Sequence, residues 1–162
     1  MRYNTAMGQM YYYIYSTPAG SITISANENA ITGVDFGKAE AGVQKETELI
    51  KKAYLQLSEY FEGKRRKFDL PLEPYGTEFQ RKVWSALRAI PYGETRSYKQ
   101  IAKLAGNENA CRAVGMANNK NPIPIFIPCH RVIGADGSLV GYGGGIAVKE
   151  MLLALERSNS SV

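Results

Sequence analysis

The chain has 162 residues, 44% of them hydrophobic and 22% charged, a balance that suits one ordinary core or two small lobes. No stretch approaches the roughly 18 apolar residues needed to span a bilayer, Met1 to Met10 lacks the apolar run of a secretory signal, and two cysteines, Cys111 and Cys129, are too few for a secreted disulfide scaffold. A reduced, cytoplasmic (intracellular) protein with no membrane partner is therefore expected. The net charge of +5 is uneven: residues 1–74 carry nine basic and nine acidic side chains, whereas residues 75–162 carry eleven and six. Within residues 81–131 the balance is nine to two, which fits a polyanion footprint, because each neutralised phosphate releases a counterion. Charge alone does not establish such a partner.

The first half reads as a small α/β unit. Tyr11 to Ser16 is aromatic and β-prone, Pro18-Ala19-Gly20 predicts a turn, and Ser21 to Ser25 alternates with Ile22 and Ile24 on one face. Ile31, Val34 and Phe36 suggest a third strand. From about Thr47 to Phe61, Leu49 or Ile50, Ala53 or Tyr54, Leu57, Tyr60 and Phe61 recur at helical spacing, and Gly63 stops the helix. The basic run Lys64 to Lys67 reads as a solvated linker by default.

The second half is mainly helical. Phe79, Val83, Trp84 and Leu87 form an apolar stripe, broken by Pro91-Tyr92-Gly93. Ser97 and Gln100 fit a capping box opening a short helix that closes on Ala105-Gly106. A second helix is expected from about Asn107–Asn109 to Ala117, with Ala110, Ala113, Val114 and Ala117 facing inward and Arg112, Gly115, Met116 and Asn119 outward. Two short helices joined by a tight turn in the most basic region suggest a helix-turn-helix. Gly115 costs such a helix about 1 kcal/mol relative to alanine; either a close partner or helix packing would account for it.

Asn121-Pro122-Ile123-Pro124-Ile125-Phe126-Ile127-Pro128-Cys129-His130-Arg131-Val132 carries the chemistry. Its three prolines exclude a regular helix, and a buried extended segment is expected. It delivers Cys129 next to the only histidine in the chain. Imidazole can draw the proton from a thiol near neutral pH, directly or through one water, and the thiolate is the nucleophile. An inert buried cysteine and a core histidine are the bland alternatives. The cysteine and histidine spacing does not suit a four-ligand zinc site, so no metal is expected.

Ile127 to Val132 resembles the active-site signature of the O6-alkylguanine-DNA alkyltransferases, the methylated-DNA–protein-cysteine methyltransferase family. The resemblance runs through Gly76-Thr77-Glu78-Phe79-Gln80, Val83-Trp84, Ile90 to Gly93, Ser97-Tyr98, Arg112 to Gly115, Asn121-Pro122, Gly141-Tyr142, Gly144-Gly145, Lys149 and Glu156. It implies an α/β (α+β) chain: a ribonuclease-H-like lobe over residues 1–72, a short antiparallel sheet plus helix, then a mainly helical lobe over 73–162 with a helix-turn-helix or winged-helix-like motif. It also implies DNA repair by direct reversal, with a single irreversible transfer of an alkyl group to Cys129 from guanine O6, with thymine O4 as an alternative source. By the same resemblance His130 is the water-mediated base, Glu156 holds it, and Asn121 bonds within the network; without the family, Glu156 reads as an ordinary helix-end charge. Tyr142 would donate to the departing oxygen, and the backbone of Val132 and Gly143 would read the base edge. Arg112 would fill the space left by a flipped nucleotide, Tyr98 would press on the adjoining phosphate, and Lys99, Asn107, Ala113 and Gly115 would lie along the minor groove. The expected partner is double-stranded DNA containing alkylated guanine, bound by a monomer without a cofactor.

Overall fold

The computed structural model describes residues 8–160; residues 1–7, which include most of the stretch read for a signal, lie outside the described residues. The chain divides into two compact units, the first ending at Pro74 and the second beginning at Tyr75.

In the first unit, β1 (Tyr11–Thr17), β2 (Gly20–Ala26) and β3 (Ile31–Phe36) form an antiparallel meander, and the two-residue β4 (Val43–Gln44) adds in parallel beside β1, giving the order β3-β2-β1-β4. The short β4 has no periodicity to read. It needs Gly42, because a Cβ there would sit 2.2 Å from the Met10 carbonyl oxygen and φ is 107°. The alternation read in β2 is present, yet Ile22, Thr23, Ile24, Ser25 and Ala26 are all buried, because β2 is an inner strand covered on both faces. Thr23 tolerates this by donating to the Gly37 carbonyl at 2.8 Å and accepting from the Ala39 amide at 3.0 Å. The helix α1 (Glu48–Phe61) is capped by Thr47, whose side chain accepts from the Ile50 amide. Ile50, Ala53, Leu57 and Tyr60 form its buried stripe, while Tyr54 stacks on Tyr15 with ring centroids 3.9 Å apart. The basic run is exposed at Lys64, Arg66 and Lys67, and Lys64 and Arg65 pair with Glu62 and Glu59, as a solvated segment would.

The second unit contains α2 (Glu78–Arg88), α3 (Tyr98–Leu104), α4 (Cys111–Asn119) and α5 (Ile146–Ser160), with a short parallel pair, β5 (Arg96–Ser97) and β6 (Val132–Ile133). Both α2 and α3 begin with complete capping boxes, Thr77 with Gln80 and Ser97 with Gln100. Val83, Trp84 and Leu87 of α2 are buried, and the Trp84 indole donates to the Ala117 carbonyl of α4 at 2.8 Å. Gly76 makes room for that indole, since a Cβ would lie 2.4 Å from the ring.

Three sequence expectations need correction. The helix α4 begins at Cys111, because Asn107 to Ala110 closes a turn of its own through Ala110 N–H to the Asn107 carbonyl. Ala113 is exposed; Val114, Ala117 and Asn118 form the buried face, since both α2 and α3 pack on this helix and fix its rotation. The proline-rich segment is buried from Ile123 onward but not extended. The Ile127 amide bonds the Ile123 carbonyl, the Cys129 amide bonds the Ile127 carbonyl, Ile125 adopts φ 73°, and Cys129–Arg131 is a single 3₁₀ turn. Proline forbids a regular helix but permits this chain of tight turns.

Candidate active site

The 3₁₀ turn Cys129–Arg131 lies in the interior, with Cys129 4% exposed and His130 fully buried. Two side chains hold its approach. Asn121 donates from Nδ2 to the Ile127 carbonyl at 2.8 Å and accepts the Ile123 amide at 3.0 Å, and its side chain also hydrogen-bonds the Cys129 thiol. Asn118 of α4 donates to the Cys129 carbonyl at 3.3 Å.

On α5, Glu156 points inward and is 1% exposed. Its carboxylate lies 2.6 Å from His130 Nε2, accepts Arg131 Nε at 2.8 Å and Nη2 at 3.0 Å, and accepts the Gly93 amide at 3.2 Å. Burial, the largest single influence, would raise its pKa, but His130 and Arg131 together outweigh it and hold the carboxyl at about 2. Burial pushes the His130 pKa down, against the pull of Glu156, so the imidazole is neutral near pH 7. The ionised carboxylate then fixes the proton on Nε2 and leaves Nδ1 open as the basic nitrogen.

Burial also pushes the Cys129 thiol up, to about 11, opposed by the Asn121 hydrogen bond, the Lys149 ammonium and its own backbone amide. A thiol so placed stays protonated at rest and needs a base to react. Lys149 is fully buried, and its ammonium donates to the carbonyls of Val132 at 2.7 Å and Val140 at 3.2 Å, tying both ends of the intervening loop. The Tyr98 hydroxyl donates to the same Val140 carbonyl at 3.1 Å, and burial raises its pKa, with Cys129 near enough to add to the shift. Tyr142 is held well above its ordinary value by burial, then by Cys129 and Glu156.

The structure thus brings Cys129, His130, Glu156, Asn121, Tyr98 and Tyr142 together, with the Val132 backbone in the same layer. Gly143 lies exposed on the loop before α5. Arg112, Ala113, Lys99 and Asn107 are exposed on the α3–α4 motif, and Gly115 is half-buried about 3.9 Å from the Tyr98 ring were it to carry a Cβ. Sequence reasoning gave no role to Arg131 or Asn118 and named Lys149 only within the resemblance. The legible signal for Lys149 is its place one turn before Leu152–Leu153 on an apolar helix face. Among the described residues no group of three or more His, Cys, Asp or Glu side chains could hold a metal ion.

The second unit thus holds a buried cysteine next in sequence to a buried histidine–carboxylate pair, together with two short helices, α3 and α4, packed on each other in the most basic part of the chain. The family model described as the 6-O-methylguanine DNA methyltransferase DNA-binding domain matches residues 78–158, and that of the ribonuclease-like domain matches residues 10–74. The chain belongs to the 6-O-methylguanine DNA methyltransferase family. It is 49% identical to the methylated-DNA–protein-cysteine methyltransferase of Methanosarcina acetivorans, covering 92% of this chain and 99% of that relative. Identity to the constitutive enzyme of Bacillus subtilis is 46%, over 91% of this chain and 95% of that one. The crystal structure of the Mycobacterium tuberculosis O6-methylguanine methyltransferase superimposes with a TM-score of 0.87 at 43% identity, covering 93% and 94% of the two chains. The DNA complex of the same mycobacterial protein gives 0.86 at 44% identity, covering 92% and 94%. Family membership carries methylated-DNA–protein-cysteine methyltransferase activity, in DNA repair by direct reversal, and confirms the expected mixed α/β fold with a ribonuclease-like first lobe. Among the described residues no helix is long and apolar enough to cross a membrane.

Proposed function

We propose that this chain, as a monomer acting once, transfers the alkyl group of O6-alkylguanine in duplex DNA to Cys129 Sγ. The observation that carries the residue assignment is the fully buried His130, pinned through Nε2 by Glu156 at 2.6 Å and keeping Nδ1 for the neighbouring thiol. The thiol proton passes through one water to Nδ1, and the imidazolium is stabilised by the ionised Glu156. The thiolate attacks the alkyl carbon, the carbon–O6 bond breaks, and its electron pair leaves on the guanine oxygen. Tyr142 donates to that oxygen, and the freed guanine takes up one proton for the one the thiol gave. The thioether does not hydrolyse, so each molecule reacts once and uses no cofactor. Thymine O4 presents the same alkyl–oxygen bond and is an alternative substrate for the same step.

The base reaches this buried thiol by flipping out of the stack, at a cost of a few kcal/mol. Arg112, exposed on α4, enters through the minor groove and fills the vacated space, while Ala113 and Gly115 allow the helix to come close. Tyr98 sits at the first position of α3 and meets the adjoining phosphate, with Lys99 and Asn107 lying along the backbone. The Val132 carbonyl accepts Lys149 and keeps a second lone pair for the base edge, beside the open backbone of Gly143.

Intact-protein mass spectrometry after incubation with a duplex containing O6-methylguanine tests this reading. The expected result is a gain of one methyl group, mapped to Cys129 and absent from Cys129→Ser. An unchanged mass with the DNA still bound would mark a recognition protein instead.

A further inference from the structure

Two buried polar atoms flank the Cys129–His130 peptide without a protein hydrogen-bond partner among the described residues: Asn118 Oδ1 and His130 Nδ1. Asn118 is 2% exposed and stands in the last turn of α4, with its Nδ2 on the Cys129 carbonyl at 3.3 Å. A buried acceptor left unsatisfied is destabilising, and propping a carbonyl requires only a donor. The amide also brings an acceptor to the Cys129 peptide. Its Oδ1 is attached to the same carbon as Nδ2, so it lies beside the Cys129 carbonyl, and the imidazole belongs to the next residue. Buried waters make about three hydrogen bonds, typically to such groups.

We propose that Asn118 Oδ1 and His130 Nδ1 share one buried water, and that Asn118 is the positioning residue that aims this water at the Cys129 thiol. The inference rests on the proposed function and deepens its proton step. The water oxygen accepts the Sγ–H proton while one of its own hydrogens passes to Nδ1, and the other stays bound to the water, donated to Asn118 Oδ1. The water is regenerated, the imidazolium faces Glu156, and the thiolate is free to attack carbon. Without an acceptor for its second hydrogen the water can turn away from this path. Because Asn118 and Arg112 stand on one nine-residue helix, seating α4 on DNA and aiming the water become one structural event.

The charged and titratable groups facing Cys129 and His130 are Tyr98 from α3, Tyr142 from the loop, Lys149 and Glu156 from α5, and Arg131 in the turn itself. Asn118→Leu alters none of these charges, so a changed pH profile would come from the lost amide. The experiment follows alkylation of Cys129 in the full chain by iodoacetamide, mapped by peptide mass to exclude Cys111, across the neutral-to-alkaline range. Asn118→Leu should react on the order of tenfold more slowly at neutral pH, part of the general-base contribution of about 10²-fold or more, with its profile displaced to the alkaline side. Asn118→Asp, which keeps an acceptor oxygen, should recover part of the neutral rate. A lowered melting temperature with a wild-type pH profile in Asn118→Leu would overturn the proposal. Should that variant not fold, a crystal structure of the wild-type protein that orders internal waters decides: a water bonded to both atoms supports it, and a dry site or a water on only one overturns it. Methyl transfer by the wild type is measured alongside. Its absence would defeat the functional reading, whereas normal transfer with an unaffected Asn118→Leu defeats only this one.

Discussion

The two units bury different kinds of polar group. Among the described residues the buried polar side chains of the first unit are Thr23, Ser25, Asn27, Thr32 and Gln56, all uncharged. Those of the second are Asn118, His130, Arg131, Lys149 and Glu156, four of them titratable. Uncharged groups are buried cheaply when a nearby backbone group bonds them, as the Asp69 amide and carbonyl bond Gln56. Buried charges are expensive even when paired, and an apolar replacement of equal volume is often as stable. The first unit is thus organised around apolar packing and uncharged hydrogen bonds. The second carries a cost that its fold does not require, and that cost is concentrated on the turn that bears the thiol.

Substitutions can break or sharpen this contrast. The largest effect on stability is expected for Glu156→Gln, which leaves the Arg131 guanidinium buried without its counter-charge and should cost about 3–5 kcal/mol in denaturant unfolding. The same variant supplies a pH signature. A carboxyl lowered from 4.5 to about 2 contributes its full stability above pH 4.5 and loses it as the pH falls toward 2. Wild-type unfolding should weaken across that window and Glu156→Gln should weaken less; parallel curves would mean the pairing contributes nothing. Next comes Gln56→Leu in the first unit, which removes two hydrogen bonds to the Asp69 backbone, each worth about 0.5–1.5 kcal/mol. Its Cys129 reactivity should keep the wild-type pH profile, and a displaced profile would collapse the distinction between the units. Arg112→Ala should change stability by no more than about 0.5 kcal/mol, because the side chain is exposed. It should nevertheless slow repair of duplex DNA far more than reaction with free O6-benzylguanine. Equal slowing of both would remove its role in the stack.

The sequence made local structure legible where one residue type decides it. Ser97 caps its helix, and Ile50, Ala53, Leu57 and Tyr60 fill one helical face, because capping and periodicity act over a few residues. The face of α4 was not legible at Ala113, since alanine suits either side and the packing of α2 and α3 decides the rotation. Nor were the turns from Ile123 to Arg131, because three prolines exclude a helix without choosing among its alternatives. At the site, Cys129 and His130 stood out as neighbours. Glu156, 26 residues beyond His130, carries no local mark of its partner, and Arg131 and Lys149 read as ordinary basic residues. Their pairing is a property of α5 folding back against the turn, which no short window of sequence contains.

The Trp84 hydrogen bond has a practical consequence. This is the chain's sole tryptophan, 2% exposed, with its indole N–H on the Ala117 carbonyl one residue before Asn118. Ultraviolet emission excited at the red edge, where only indole and none of the tyrosines absorbs, therefore originates against α4. Any event that shifts that helix, whether docking on a duplex or lodging a methyl group on the sulfur, changes the polarity and hydrogen bonding of a single fluorophore. The molecule carries its own optical gauge, readable in a stopped-flow cuvette without a dye.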